Sequence, residues 1–397
     1  MKKRCFRGAA VLAAVFALAM SLFLTAGTAH AEEEQEMELS VGQAETRPIP
    51  EIPGAAYESS MEFDFARMVN VYYFEGGYKV IDVTGDRQFL LVPEGKSVPE
   101  GTDPSIVPLY APVDNIYLAA TSAMALFDAL DALDAIRLSS LRAEGWYIEH
   151  AAGAMERGDI LFSGKYSEPD YELMIQEGCS VAIESMMILH TPKVQEMIEN
   201  MGIPVFIDRS SSEEHPLGRT EWIRVYAAML DKEAEADAFM EEQKKIISDL
   251  DDFVNTEKKV AYFYFNTDGS VVVRSGNDYV PKMIEIAGAR YIPDDLMSET
   301  KRSSVPITLE EFYTKCIDAD YLVYNASIDN PIETIGDLLG KSELFQDFKA
   351  VQEGNVWCTG KYLYQATDIV GNLIRDFHNM VTEGDPAKMT FLSKIEG

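Results

Sequence analysis

From residue 113 onward, short apolar runs of strand length alternate with longer stretches in which apolar residues recur every three or four positions. The runs 115–120, 159–162, 181–183 and 204–207 predict buried strands, and the stretches 123–133, 171–177 and 192–201 predict helices between them. The same alternation resumes beyond residue 259, with strands at 260–265, 270–274, 321–324 and 355–358. Helical spacing there falls at 279–287, 309–316, 334–339, 342–350 and 368–381. Such alternation implies an α/β fold whose parallel sheets carry helices on both faces, arranged as two three-layer lobes. Between the lobes, residues 220–252 contain neither proline nor glycine. Trp222, Val225, Tyr226, Met229, Leu230, Phe239, Ile246 and Leu250 recur there at helical spacing. That pattern predicts a single long amphipathic helix joining the lobes, about 45–50 Å end to end.

Ahead of the alternating region, the runs 69–74 and 78–83 flank a Glu75-Gly76-Gly77 turn, and 88–92 extends them into a meander. Residues 32–60 are acidic, bear prolines and lack apolar periodicity, so they are expected to be a flexible spacer. Lys2, Lys3, Arg4 and Arg7 precede an uncharged apolar stretch at 8–27, and Ala29-His30-Ala31 follows. This is the layout of an export signal cut before Glu32, with an uncleaved membrane anchor as the alternative. No cysteine stands in Leu24-Thr25-Ala26-Gly27 where lipidation would need one. The expected domains are therefore a signal at 1–31, a spacer at 32–60, an N-terminal lobe at 61–218, a linker helix at 219–253 and a C-terminal lobe at 254–397.

Charge and composition narrow the function. With 66 acidic against 34 basic residues the formal charge is −32, which repels nucleic acid and anionic lipid. Beyond the signal, Cys179, Cys316 and Cys358 are odd in number, which excludes a fully paired disulfide framework; their apolar neighbours predict small buried hydrophobes. His150, His190, His215 and His378 are scattered, so neither a structural zinc site nor a bare-metal site is expected. There is no G-x-S-x-G, P-loop or H-E-x-x-H, and the expectation is a protein that is not an enzyme and needs no cofactor. His215 carries two readings: an iron ligand beside the cleft, or a loop histidine packed on Pro216 or bonded to a carboxylate. Arg219 likewise either meets a ligand carboxylate or pairs locally with Glu213 or Glu214.

The lobes repeat each other once. Asp170-Tyr-Glu172 opens a short helix that ends near Cys179 before a strand, and Thr308-Leu-Glu310 opens another that ends near Cys316 before a strand. With Gly202-Ile-Pro-Val-Phe, the Arg219-Thr-Glu-Trp222 helix start and Gly354-Asn-Val-Trp357, this chain resembles the ABC-importer solute-binding proteins for ferric siderophores, haem and cobalamin. The resemblance covers residues 113–381. It implies a ligand held between the lobes, with modest closure because the connecting helix resists bending. The ligand would meet Ser122, Lys165, Tyr166, Glu184, Ser185, Met186, Arg209 and His215 in the first lobe. Arg274, Tyr279, Asn325, Lys361 and Tyr364 would meet it in the second. It further implies that Glu172 and Glu310 dock onto an ABC-transporter permease, and that the protein is a monomer working in the periplasm or on the outer face of the cytoplasmic membrane. The competing readings are an exported metallochelatase-like enzyme and a surface protein that holds haem or siderophore without a transporter.

Overall fold

The computed structural model describes residues 47–250, 253–298 and 303–396; the expected export signal and the start of the expected spacer lie outside them. The chain first forms five strands, of which β3 and β4 are buried almost throughout: β1 (Tyr57–Ser60), β2 (Val69–Phe74), β3 (Tyr78–Val83), β4 (Gln88–Val92) and β5 (Val107–Tyr110). They pair in chain order, antiparallel as far as β4 and parallel between β4 and β5. Val71, Ile81, Phe89 and Leu91 face the main core, while Tyr72, Val80, Leu90 and Val92 face Ile52 and Ile106 on the other side. Residues 47–60 are therefore part of the folded body and not a spacer: Ile52 and Ala55 are buried, and β1 is an edge strand.

The first α/β lobe contains β6 (Ile116–Leu118), α1 (Met124–Ala129), β7 (Ile136–Ser139), α2 (Glu149–Arg157) and β8 (Leu161–Phe162). A hairpin of β9 (Gly164–Lys165) and β10 (Glu168–Pro169) precedes α3 (Tyr171–Gln176), β11 (Val181–Ser185), α4 (Pro192–Asn200) and β12 (Val205–Asp208). The parallel sheet runs β12-β11-β6-β7-β8. The helix expected to reach residue 133 stops at Ala129, because Asp131 turns left-handed at φ 50.

The connector is α5 (Pro216–Glu221), α6 (Ile223–Leu230) and α7 (Glu233–Ser248). The single continuous helix expected here is thus broken. Asp231 is left-handed (φ 57, ψ 39), a conformation that Asp tolerates better than most residues. Lys79 of β3 holds the break. Its ammonium donates to the Ala228 carbonyl at 3.1 Å and to Asp231 at 2.7 Å, and it pairs with Glu233. A cation at a helix C-terminus satisfies orphan carbonyls that a proline- and glycine-free sequence gave no reason to expect. α6 is wholly apolar on its buried side, with Trp222 and Tyr226 packed on Phe206. α7 starts in the first lobe's core at Ala236 and Met240 and reaches the second lobe's core at Ile247, with Leu250 just beyond its end packed there too.

The second lobe holds β13 (Lys259–Phe265), β14 (Val271–Arg274), α8 (Tyr279–Ile286), β15 (Arg290–Ile292), β16 (Ser304–Ile307) and α9 (Leu309–Cys316). It continues through β17 (Tyr321–Tyr324), α10 (Ile335–Lys341), α11 (Lys349–Gln352), β18 (Val356–Thr359), α12 (Val370–Thr382) and β19 (Leu392–Lys394). Strands β15, β13, β17 and β18 are parallel, and β14, β16 and β19 add antiparallel edges. Apolar clusters cover both faces of this sheet, one around Phe263, Phe312 and Phe345 and the other around Trp357, Ile374 and Phe377.

Candidate functional site

The loops that leave the carboxyl ends of the parallel strands in the two lobes meet each other. Gln365, six residues beyond β18, is fully buried. Its Oε1 accepts the Tyr147 N–H at 2.8 Å, and its Nε2 donates to the Gly145 carbonyl and the Tyr364 hydroxyl, each at 2.8 Å. Tyr147 and Tyr364 stand edge to face with centroids 6.1 Å apart. The Thr220 hydroxyl donates to the Thr367 carbonyl at 2.8 Å, tying the connector to the same loop. Strand ends facing strand ends across a crevice is where α/β sheets present unpaired backbone donors to a ligand.

On the first lobe, Ser122 sits half-buried in the turn after β6, where no side chain caps α1. Lys165 is exposed on the hairpin and Tyr166 packs on the apolar cluster beneath it. Gly164 shapes that hairpin: at φ +81, a β-carbon there would lie 2.3 Å from the Glu168 carbonyl oxygen. Glu184 is fully buried near Tyr117 and Tyr171, and neither of its carboxyl oxygens has a partner. Burial pushes its pKa well above the usual carboxylate range. Ser185 accepts the Met187 N–H, and the Ser212 hydroxyl lies 3.1 Å from the Met186 sulfur. Arg209 turns away from the second lobe. Its guanidinium donates to the Thr84 carbonyl at 3.0 Å in the β3–β4 turn, near Asp86.

On the other side, Arg274 is buried under α8, and the Arg219 guanidinium lies 4.2 Å over the Tyr279 ring, with Arg274 5.9 Å from the same ring. Arg219 also lowers the pKa of buried Asp208 and of Asp278, although burial raises both on balance. Asn325 is buried at the end of β17, with Oδ1 accepting from Ser327. Lys361 is half-buried and donates to Asn330 at 3.0 Å. The structure thus brings together Arg219, Arg274 and Tyr279, and separately Tyr364 with Tyr147.

His215 takes a structural position. Its ring stacks on Phe65 at 4.4 Å, and Nδ1 accepts the Leu217 N–H at 3.2 Å as the cap of α5. Burial, then Lys282 and Arg67, push its pKa down to about 4, so the ring is neutral. A neutral ring that accepts at Nδ1 carries its only proton on Nε2, which leaves no lone pair for iron. Among the described residues, no three His, Cys, Asp or Glu side chains gather as a metal site.

Sequence reasoning did not single out Tyr147 or the pair Arg142 and Phe162, whose guanidinium and ring centroid lie 4.0 Å apart. Two of the three lie in the loop after β7, a four-residue strand too short and too polar at Arg137 to register as an apolar run. Glu172 and Glu310 are both exposed in the first turns of α3 and α9, helices capped alike by Asp170 and Thr308. Cys179, Cys316 and Cys358 are buried free thiols, and burial pushes each pKa up to about 11 or 12. No helix among the described residues is long and apolar enough to cross a membrane.

The family described as periplasmic binding protein matches residues 159–363. An uncharacterised lipoprotein of Methanocaldococcus jannaschii is 25% identical over 332 residues, covering 76% of this chain and 77% of its own. A periplasmic haem-binding protein of Pseudomonas aeruginosa superposes with a TM-score of 0.55 at 14% identity, covering 72% of this chain and 98% of that one. The ABC-type Fe3+-hydroxamate transport protein of Saccharomonospora viridis gives 0.52 at 16% identity, with 68% and 94% covered. These likenesses to solved structures are likenesses of fold. The five-stranded N-terminal sheet lies outside the family match.

Proposed function

The chain belongs to the periplasmic binding protein family, and from that premise we propose that it is the extracytoplasmic solute-binding component of an ABC importer. In this reading it captures an iron-chelate-type ligand, a ferric siderophore, haem or cobalamin, between its lobes. The observation that carries the reading is the meeting of carboxyl-end loops from both lobes at Gln365, with aromatic rings of Tyr147 and Tyr364 beside it. A flat or bulky chelate needs such apolar area and few polar anchors. The lipoprotein relative supports a site of action outside the cytoplasmic membrane. Glu172 and Glu310, exposed and alike in setting, would present one carboxylate per lobe to arginines of a permease.

The test is a titration of the purified protein with haemin, ferric siderophores and cyanocobalamin, followed by absorbance and intrinsic fluorescence. Submicromolar binding of one of them is expected, and failure to bind any would end the reading. In proteoliposomes carrying the cognate permease, Glu172→Arg with Glu310→Arg should abolish uptake while leaving ligand binding intact. Undiminished uptake would refute the docking role.

A further inference from the structure

We propose that the ligand is an anionic chelate, recognised at its acidic rim by Arg142, with Lys165 of the following hairpin as a second cation; the inference rests on the solute-binding reading above. The chain carries 66 acidic against 34 basic residues, so its mean field repels anions and an anionic ligand needs local cations. Two of the cations first expected at the cleft are engaged elsewhere: Arg209 serves the Thr84 carbonyl and Lys361 bonds Asn330.

Arg142 differs from these. It is exposed at the carboxyl end of β7, and its guanidinium lies 4.0 Å from the ring centroid of Phe162 at the carboxyl end of the neighbouring strand β8. Contact with the ring holds the guanidinium in place and leaves N–H donors open for two oxygens of one carboxylate or catecholate. Among the described residues it makes no ion pair, and neither does Lys165 three positions past Phe162. Glu168 stands opposite Lys165 in the hairpin register without pairing with it. The loop that carries Arg142 also carries Tyr147, which stands against Tyr364 of the other lobe, so an aromatic wall and a pre-oriented cation share one loop. A neutral or cationic chelate would gain nothing from that pairing.

The experiment measures binding of four probes to the full chain: haemin and ferric enterobactin as anions, ferrioxamine B as a cation and cyanocobalamin as the neutral case. The wild type is expected to bind an anionic probe at least about tenfold more tightly than the others, with affinity falling as salt rises. Arg142→Gln should weaken the anionic probe by about tenfold or more, Lys165→Gln by less, and Arg142→Lys should restore part of the loss. Both positions are exposed, so unchanged melting temperatures should accompany these losses. Preference for ferrioxamine B or cyanocobalamin, or anion binding indifferent to Arg142→Gln, overturns the anionic assignment while leaving a solute-binding protein. Binding of none of the four overturns the solute-binding reading itself.

Discussion

Two regions of this protein bury carboxyl groups and treat them in opposite ways. At the start of the connector, Glu221 is fully buried and accepts the N–H groups of Asp64, Phe65 and Ala66 at 2.7–2.9 Å. Glu213 beside it accepts from Arg67, Met68 and the Trp222 indole. In the floor of the first lobe, Glu184 is just as deeply buried and has no partner. The segment 63–68 has no strand or helix to satisfy its amides, so two carboxylates stand in for a neighbouring strand. Buried acid at the connector therefore organises backbone and binds the segment that leads into the N-terminal sheet. In the first lobe, at Glu184, it is left without a partner.

The sharpest way to break that comparison is to remove Glu221. Glu221→Ala strands three N–H groups at once, that of Ala66 buried and those of Asp64 and Phe65 part-buried; with a buried orphan worth on the order of 1–3 kcal/mol, a loss of about 2–4 kcal/mol in urea unfolding is expected. Hydrogen exchange should show 63–68 released first. A loss under about 1 kcal/mol would mean that the segment is held by Phe65 on His215 and by Asp64 on Lys244, not by the carboxylate.

Asp368 extends the contrast to the junction of the lobes. Burial and, less strongly, Asp128 of the first lobe raise its pKa to about 6. Asp128 is itself bonded to exposed His150 at 2.9 Å. A carboxyl raised from 3.8 contributes stability below about pH 4 that is lost as pH rises through 6. Asp368→Asn should therefore stabilise the protein by about 1–3 kcal/mol at pH 8 and by little at pH 4, read from melts at both. Equal effects at the two pH values would remove Asp368 from the uncompensated class.

Glu184 tests the other pole. Replacing an orphan polar group by an apolar one of similar length removes a desolvation cost, so Glu184→Met should be neutral or stabilising by about 1–2 kcal/mol at pH 7. Because its pKa is raised, wild-type stability should decline as pH rises above the ordinary carboxylate range, and the variant should lose that slope. Destabilisation instead would show that Glu184 has a partner, such as a bound water.

How much of this was legible beforehand follows from which forces act locally. Strands β2, β3, β4 and β17 were readable to the residue because each is an apolar run closed by turn residues or charge. The break at Asp231 was not, since helical spacing continues through it and the reason for it is Lys79, far away in sequence. Of the positions expected in carboxyl-end loops, Lys165 lies in β9, Glu184 and Ser185 end β11, Arg274 ends β14 and Tyr279 opens α8, and their partners were not legible. Arg209 was expected to point at ligand and is turned by the β3–β4 turn, and Gln365 gains its role only when Gly145 and Tyr147 arrive from the other lobe. Patterns of apolar spacing record burial, whereas hydrogen-bond partners distant in sequence leave no spacing to read.

The smallest expected effect returns to the connector, at His215. Its imidazole both stacks on Phe65 and caps α5 through Nδ1, so His215→Phe keeps the stack and deletes the cap, costing about 1 kcal/mol. The pH dependence separates this from a ligand role. A histidine whose folded pKa is lowered to about 4 contributes stability that is full above 6.5 and lost as pH falls from 6.5 through 4. The variant should lose that acid-side slope, and haemin binding should retain the wild-type Soret position and affinity. A shifted Soret band in the variant would move His215 into the ligand's coordination sphere. The connector would then do chemistry as well as hold the lobes, and its buried groups could no longer be read as purely organising.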